Sequence, residues 1–138
     1  INHWDLKKGI DENPLMDENE IKEWINNGME IGSHTQNHIR LTESDIKTAT
    51  KEITQSKLDL ERQFDCSISH FCYPYGNYND EIIAITKDAG YSTATTVNRG
   101  RVVHGDDLLT LSRVPITHRT FFHLFLMKIL SKYEDNHA

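Results

Sequence analysis

Long apolar runs are missing from this 138-residue chain. No stretch nears the roughly 20 residues needed to cross a bilayer, so no transmembrane segment is expected. The most apolar window, Phe121 to Leu130, is broken by His123 and Lys128 and reads as a packed helix. Clustered positive charge is missing too. Lys and Arg number 15 against 21 Asp and Glu, the net charge is −6, and the basic residues are scattered. That pattern excludes the phosphate-tracking surface a nucleic acid requires. Two cysteines, Cys66 and Cys72, are too few for a disulfide framework, and no C-x-x-C metal pair exists. Nothing local fixes a histidine beside either thiol, so neither reads as a nucleophile, and the redox compartment stays open. The chain opens on Ile1-Asn2-His3-Trp4, with no methionine and no charged-then-apolar leader, as expected of a piece cut from something longer.

What is present is the composition of a soluble globular protein, with 37% hydrophobic and 26% charged residues. The length suggests one domain over residues 1–138, with an irregular opening segment at 1–15 and a frayed tail at 133–138. Asp17-Glu18-Asn19-Glu20 is a capping box, followed by Ile21, Trp24 and Ile25 on one helical face and a stop at Gly28. A strand is expected from Met29 to Ser33. A long helix capped by Thr42 or Ser44 carries Ile46, Ala49, Ile53, Leu60 and Phe64 as its apolar stripe. A strand at Ser69–Tyr73, a loop at Pro74–Asn79 and a helix from Asp80 capped by Asn79 come next. Strands at Tyr91–Val97 and Leu108–Ile116 precede a last helix, capped by Thr117 or Thr120, with Phe121, Phe122, Phe125, Leu126, Ile129 and Leu130 as a broad apolar face. Alternating strands and helices imply an α/β fold with a largely parallel sheet, whose ligand site lies beyond the carboxyl ends of its strands.

Two histidines, His34 and His38, stand four positions apart at such an end, directly after the Met29–Ser33 strand. This spacing aims two imidazoles at one point, and neutral imidazole is a common ligand for a catalytic metal. A pair of exposed loop histidines is the alternative. A catalytic zinc normally takes three protein ligands and leaves one open position, so the pair is short of a ligand. Asp5, Asp11, Glu12, His104, Asp106 and Asp107 are the other ligating residue types, and spacing alone places none of them.

The residues then reach a resemblance. His34-Thr35-Gln36-Asn37-His38 resembles the H-[ST]-x-x-H metal motif of the polysaccharide deacetylases, carbohydrate esterase family four. Phe71-Cys72-Tyr73-Pro74-Tyr75-Gly76 resembles that family's R-x-P-Y loop, Asp88-Ala89-Gly90-Tyr91 its following strand, and Arg113-Val114-Pro115-Ile116 its R-I-P-I strand. The resemblance implies a partial, distorted (β/α) barrel that removes acetyl groups from N-acetylated, or O-acetylated, polysaccharide. It implies a divalent metal, zinc first, on His34 and His38. Tyr75 would donate its backbone amide to the oxyanion; Pro74, Tyr75 and Tyr73 would touch the sugar; Thr35 and Ser33 would steady the histidine loop. His118 is the candidate acid, with an exposed histidine near a helix cap as the alternative. An extracellular or cell-envelope location follows from the same resemblance.

The departures are specific. The family's T-F-D-D motif, source of the third metal ligand and the base, is nowhere in these residues, and position 72, often arginine, is cysteine. The expectation is a chain that lacks the amino-terminal part of the barrel, has little activity alone, and self-associates through the exposed sheet edge. A catalytically inactive module that binds carbohydrate or a partner is the alternative function.

Overall fold

The computed structural model describes residues 15–135. The irregular segment expected at 1–15 lies almost wholly outside the described residues, as do Asn136, His137 and Ala138. The chain divides into two compact units, residues 1–31 and 32–138.

In the first unit, α1 (Glu18–Asn26) starts on the expected capping box. The Asp17 carboxylate accepts from the Asn19 and Glu20 amides at 2.8 and 2.9 Å, and the Glu20 carboxylate accepts from the Asp17 amide at 2.8 Å. A cap of this kind is worth about 1 kcal/mol. Gly28, at φ +81°, turns the chain out of the helix.

The second unit holds α2 (Ile46–Phe64), β1 (His70–Cys72), α3 (Asp80–Asp88), β2 (Thr93–Arg99), β3 (Leu111–Arg113) and α4 (Phe122–Leu130), with 3-10 turns at Leu41–Glu43 and Pro74–Gly76. The strands form one parallel sheet in the order β1-β2-β3. His70, Phe71 and Cys72 stand opposite Thr93, Ala94 and Thr95; the β2–β3 register shifts between Thr95 and Arg99. This is the expected α/β arrangement of parallel strands with flanking helices.

Several local expectations are corrected. The Met29–Ser33 strand reduces to a single parallel bridge from Ser33 to Phe71, in which the Ser33 amide donates to the His70 carbonyl at 2.8 Å and the Cys72 amide to the Ser33 carbonyl at 2.9 Å. Extended propensity makes a strand only where an adjacent strand accepts its amides; Ser33 pairs with β1, whereas the Met29 amide turns back to the Trp24 carbonyl. The cap of α2 is Asp45, whose carboxylate accepts the Thr48 amide at 2.9 Å, because Thr42 is drawn into the preceding 3-10 turn. The cap of α4 is Phe121, with no side-chain bond; Thr117 and Thr120 bond each other's turn instead.

The apolar face of α4 is not packed: Phe121, Phe122 and Leu130 are 69%, 75% and 74% exposed, and the buried residue is Lys128. Lys128 donates to Glu134, which is wholly buried and also takes Arg99 Nη2 at 2.9 Å. The described part of the tail expected to fray, Tyr133 to Asp135, is therefore tied to the body. Burial elsewhere follows the periodicity in part: Ile46 of the α2 stripe is exposed, Glu52 and Ser56 are buried beside Ala49 and Ile53, and α1 buries no residue of its expected face. Ala49 and Ile53 of α2, Ile82 of α3, Phe71 and Tyr73 at β1, and Ala94 of β2 form the core. Each large apolar side chain there contributes about 1.5–3 kcal/mol.

Candidate functional site

Parallel strands place their carboxyl ends, and the loops that follow, on one side of the sheet. The segment after Ser33 carries His34 to His38 there, and the loop after β1 carries Pro74 to Asn77. The two loops meet. The ring centroids of His34 and His38 are 4.7 Å apart, and those of His38 and Tyr75 are 4.6 Å apart, both pairs edge to face.

His34 is oriented from behind. Its Nδ1 stands 2.6 Å from the Cys72 carbonyl oxygen. A carbonyl only accepts, so Nδ1 carries the proton and the lone pair is left on Nε2. The Cys72 thiol touches the same ring and raises the His34 pKa, against the opposing effects of burial and of Arg113. That contact lowers the Cys72 pKa in turn. The expectation that no histidine lies beside a cysteine is thus corrected: β1 brings Cys72 to His34, a pairing invisible at 38 positions of separation. His38 has a lowered pKa, first from burial and then from the charge of His34, which favours the neutral imidazole. Below the loop, Ser33, His34, His70, Cys72, Thr93 and Thr95 line a cavity of about 380 Å3.

The histidine loop is braced by a residue the sequence did not single out. Glu52 of α2 is buried, and its Oε2 accepts the backbone amides of Gln36 at 3.0 Å and Asn37 at 2.8 Å. Its Oε1 takes Asn37 Nδ2 at 2.6 Å. The signal was a charged residue at stripe spacing: Ala49, Glu52, Ile53 and Ser56 are the buried face of α2. Ser33, also buried, shares a 2.7 Å bond with Ser56, and Thr35 Oγ1 accepts the His38 amide at 3.0 Å.

Tyr75 takes φ +59° and ψ 8°, a left-handed conformation that costs a non-glycine residue about 1–2 kcal/mol. Arg40 lies over its ring at 4.5 Å, and an exposed cation–π contact returns about 0.5–1 kcal/mol. Tyr75 is 53% exposed. Tyr73 and Pro74 are not exposed. Tyr73 is 1% exposed, donates its hydroxyl to the Leu109 carbonyl at 3.0 Å and stacks on Tyr78, and Pro74 is fully buried. Their expected contact with the sugar ring is corrected to core packing.

His118 is exposed in the turn between β3 and α4, at the same end of the sheet but outside the ring cluster. His70 bonds Thr93 Oγ1 at 2.7 Å, within the sheet register. Asp106 and Asp107 cap local turns, accepting the Val103 and Leu109 amides at 2.8 and 2.9 Å. Among the described residues, no group of three His, Cys, Asp or Glu side chains is arranged to hold a metal ion. The His34–His38 pair does fit two ligand positions: two imidazoles at close range, one with its outer nitrogen on a carbonyl, the usual support of a ligating histidine. The described residues contain no helix long and apolar enough to cross a membrane.

Known proteins share this fold. The chain is 28% identical to the Streptococcus pyogenes deacetylase PplD, solved in complex with acetate; the TM-score is 0.79 over 89% of this chain and 54% of that one. A polysaccharide deacetylase from Bacillus cereus matches at 28% identity and TM-score 0.76, over 88% of this chain and 39% of the other. The poly-beta-1,6-N-acetyl-D-glucosamine N-deacetylase of Staphylococcus aureus is 25% identical over 119 residues, 80% of this chain, and the chain spans 41% of its length. These neighbours place the parallel sheet and its helices in a (β/α) barrel fold. With the polysaccharide deacetylase profile matching residues 4–94, the chain belongs to the polysaccharide deacetylase family.

Proposed function

We propose that this chain carries the histidine pair and the oxyanion loop of a metal-dependent hydrolase that removes acetyl groups from N-acetylated polysaccharide of the cell envelope. The observation that carries the reading is the convergence of His34, His38 and Tyr75 at the strand ends, with ring centroids 4.7 and 4.6 Å apart. A divalent metal, zinc first, supplies Lewis-acid chemistry when bound at such a pair: a polarised carbonyl and a more acidic water. His34 and His38 hold it through nitrogen lone pairs, one of them freed by the Cys72 carbonyl. The Tyr75 backbone N–H donates to the acetyl oxygen as negative charge grows there. The Tyr75 ring packs on the sugar, and Thr35 and Ser33 hold the histidine loop. His118, on the same side of the sheet, is the candidate that returns a proton to the leaving amine.

The third ligand and the base are not supplied by a T-F-D-D motif in these residues. That observation favours a second reading for the chain taken alone: a module that binds the acetylated sugar without hydrolysing it. The test is zinc titration by calorimetry on the chain and its His34→Ala and His38→Ala variants, beside acetate release from N-acetylglucosamine oligomers. Zinc binding that both variants lose supports the metal site. Unchanged zinc binding in both sinks it. Oligomer binding without acetate release assigns the chain to the second reading.

A further inference from the structure

The Leu41–Glu43 turn and the Pro74–Gly76 turn are clasped at two points. Asn77 Oδ1 accepts the Thr42 amide at 2.7 Å and the Thr42 hydroxyl at 3.0 Å, and Asn77 Nδ2 reaches Thr42 Oγ1 at 2.7 Å. One residue before the Leu41–Glu43 turn, the Arg40 guanidinium covers the Tyr75 ring at 4.5 Å, while the Tyr75 and His38 rings meet edge to face with centroids 4.6 Å apart. Tyr75 is thus held between a cation and an imidazole, and its backbone keeps a left-handed φ of +59° that an unconstrained tyrosine abandons. Arg40 is half-exposed and also stands 3.8 Å from Glu43. The turn's own amides are closed: Gly76 donates to the Tyr73 carbonyl and Asn77 to the Pro74 carbonyl, each at 2.9 Å.

We infer that Arg40 is a positioning residue which, with the Thr42–Asn77 bonds, locks Tyr75 against His38 and so fixes where the Tyr75 amide stands relative to the histidine pair. The value of that placement to the reaction rests on the proposed role of the Tyr75 amide; the placement itself does not. The physical argument is one of competition. A left-handed non-glycine persists only where its surroundings over-determine it. Here the surroundings are one cation–π contact, one edge-to-face ring contact and three hydrogen bonds, and all of them tie the oxyanion loop to the histidine loop. A neutral hydroxyl or amide would hold the ring face less strongly than the guanidinium, because the full charge of a cation is drawn to the ring quadrupole. Loss of Arg40 frees the ring to leave His38 while the core under Pro74 stays intact.

The test uses the full 138-residue chain, 15N-labelled, as wild type, Arg40→Met, Arg40→Lys and Asn77→Ala. Arg40→Met keeps the stem and removes the cation; Arg40→Lys keeps the cation. The expected result is loss of the Tyr75–His38 ring cross-peak in Arg40→Met. Exchange of the Gly76 and Asn77 amides should rise roughly two- to fivefold, the equivalent of one exposed cation–π contact. Arg40→Lys should restore both signals, and Asn77→Ala should raise exchange at the same two amides. Core resonances of Tyr73 and Tyr91 report that each variant is folded. A cross-peak and exchange rates in Arg40→Met equal to wild type overturn the inference, as does failure of Arg40→Lys to restore them. A zinc titration on the same samples separates the two readings: absence of zinc binding in the wild type strikes the metal site and leaves the measured Tyr75 placement standing.

Discussion

The Nδ1 of His34 lies 2.6 Å from the carbonyl oxygen of Cys72, so a backbone atom of β1 fixes the tautomer of a loop histidine. The acceptor is main chain, and the thiol of Cys72 is a separate contact that raises the His34 pKa. Cys72→Ala should therefore keep the orientation of the ring and lower its pKa. The neutral ligand then persists to lower pH, and zinc binding by the variant should hold further into the acid range than in wild type. His34→Ala should lose more than the roughly 10–100-fold that removal of an outer partner costs. Zinc titrations at two pH values check both statements.

Glu52 is the second lever on the histidine loop. Its carboxylate satisfies the Gln36 and Asn37 amides from α2, and the residue is 6% exposed. Glu52→Ala leaves those amides without their acceptor and should destabilise the fold by about 1–3 kcal/mol in urea unfolding. Zinc affinity should fall as the loop loosens. Glu52→Gln keeps one acceptor oxygen and should lose less on both measurements.

Gly76 tests the oxyanion loop from the other side. It takes φ +65°, and a Cβ built there would collide with Cγ2 of Val97 and stand 3.0 Å from Cγ1. Gly76→Ala should cost about 1–3 kcal/mol from overpacking, with backbone strain added. Adding Val97→Ala should recover most of the steric part, since its Cβ still stands 3.1 Å from the new methyl, and leave the strain. Full recovery in the double variant would show that the backbone conformation carries no cost.

Glu134 gives the pH dependence. Burial pushes its pKa up, but Lys128 and Arg99 more than offset this and hold it below its ordinary 4.5. A depressed carboxylate stabilises the fold fully above its unfolded pKa, and the contribution is lost as pH falls through the folded value. Stability should thus decline from about pH 4.5 downward. Glu134→Gln should flatten that limb. At neutral pH it should cost near the lower end of the 3–5 kcal/mol typical of a broken buried pair, about 3 kcal/mol, since Arg99 remains 43% exposed. Urea midpoints across pH 3–7 measure the difference, roughly the span over which carboxylates titrate.

Local signals were written in the chain wherever one segment could satisfy itself. The Asp17–Glu20 box, the Asn79 cap with its 2.9 Å bond to the Ile82 amide, and the stripe of α2 all depend on neighbours three or four residues away. The motif at His34–His38 and the Pro74–Tyr75–Gly76 turn were equally legible, because each occupies a few consecutive residues. The short strand at Ser33, the exposed face of α4 and the burial of Glu134 were not. Each depends on which partner arrives, and periodicity names a face without naming what covers it.

For the site, the sequence by itself determined the residue types and their spacing: two imidazoles four positions apart and a loop set by a proline and a glycine. Only the tertiary structure decided which groups orient them. Cys72, Glu52, Arg40 and Asn77 stand 38, 15, 35 and 35 positions from the partners they hold, His34, Asn37, Tyr75 and Thr42. Hydrogen bonds and ring contacts act over a few ångströms, and only packing converts those separations in sequence into contact.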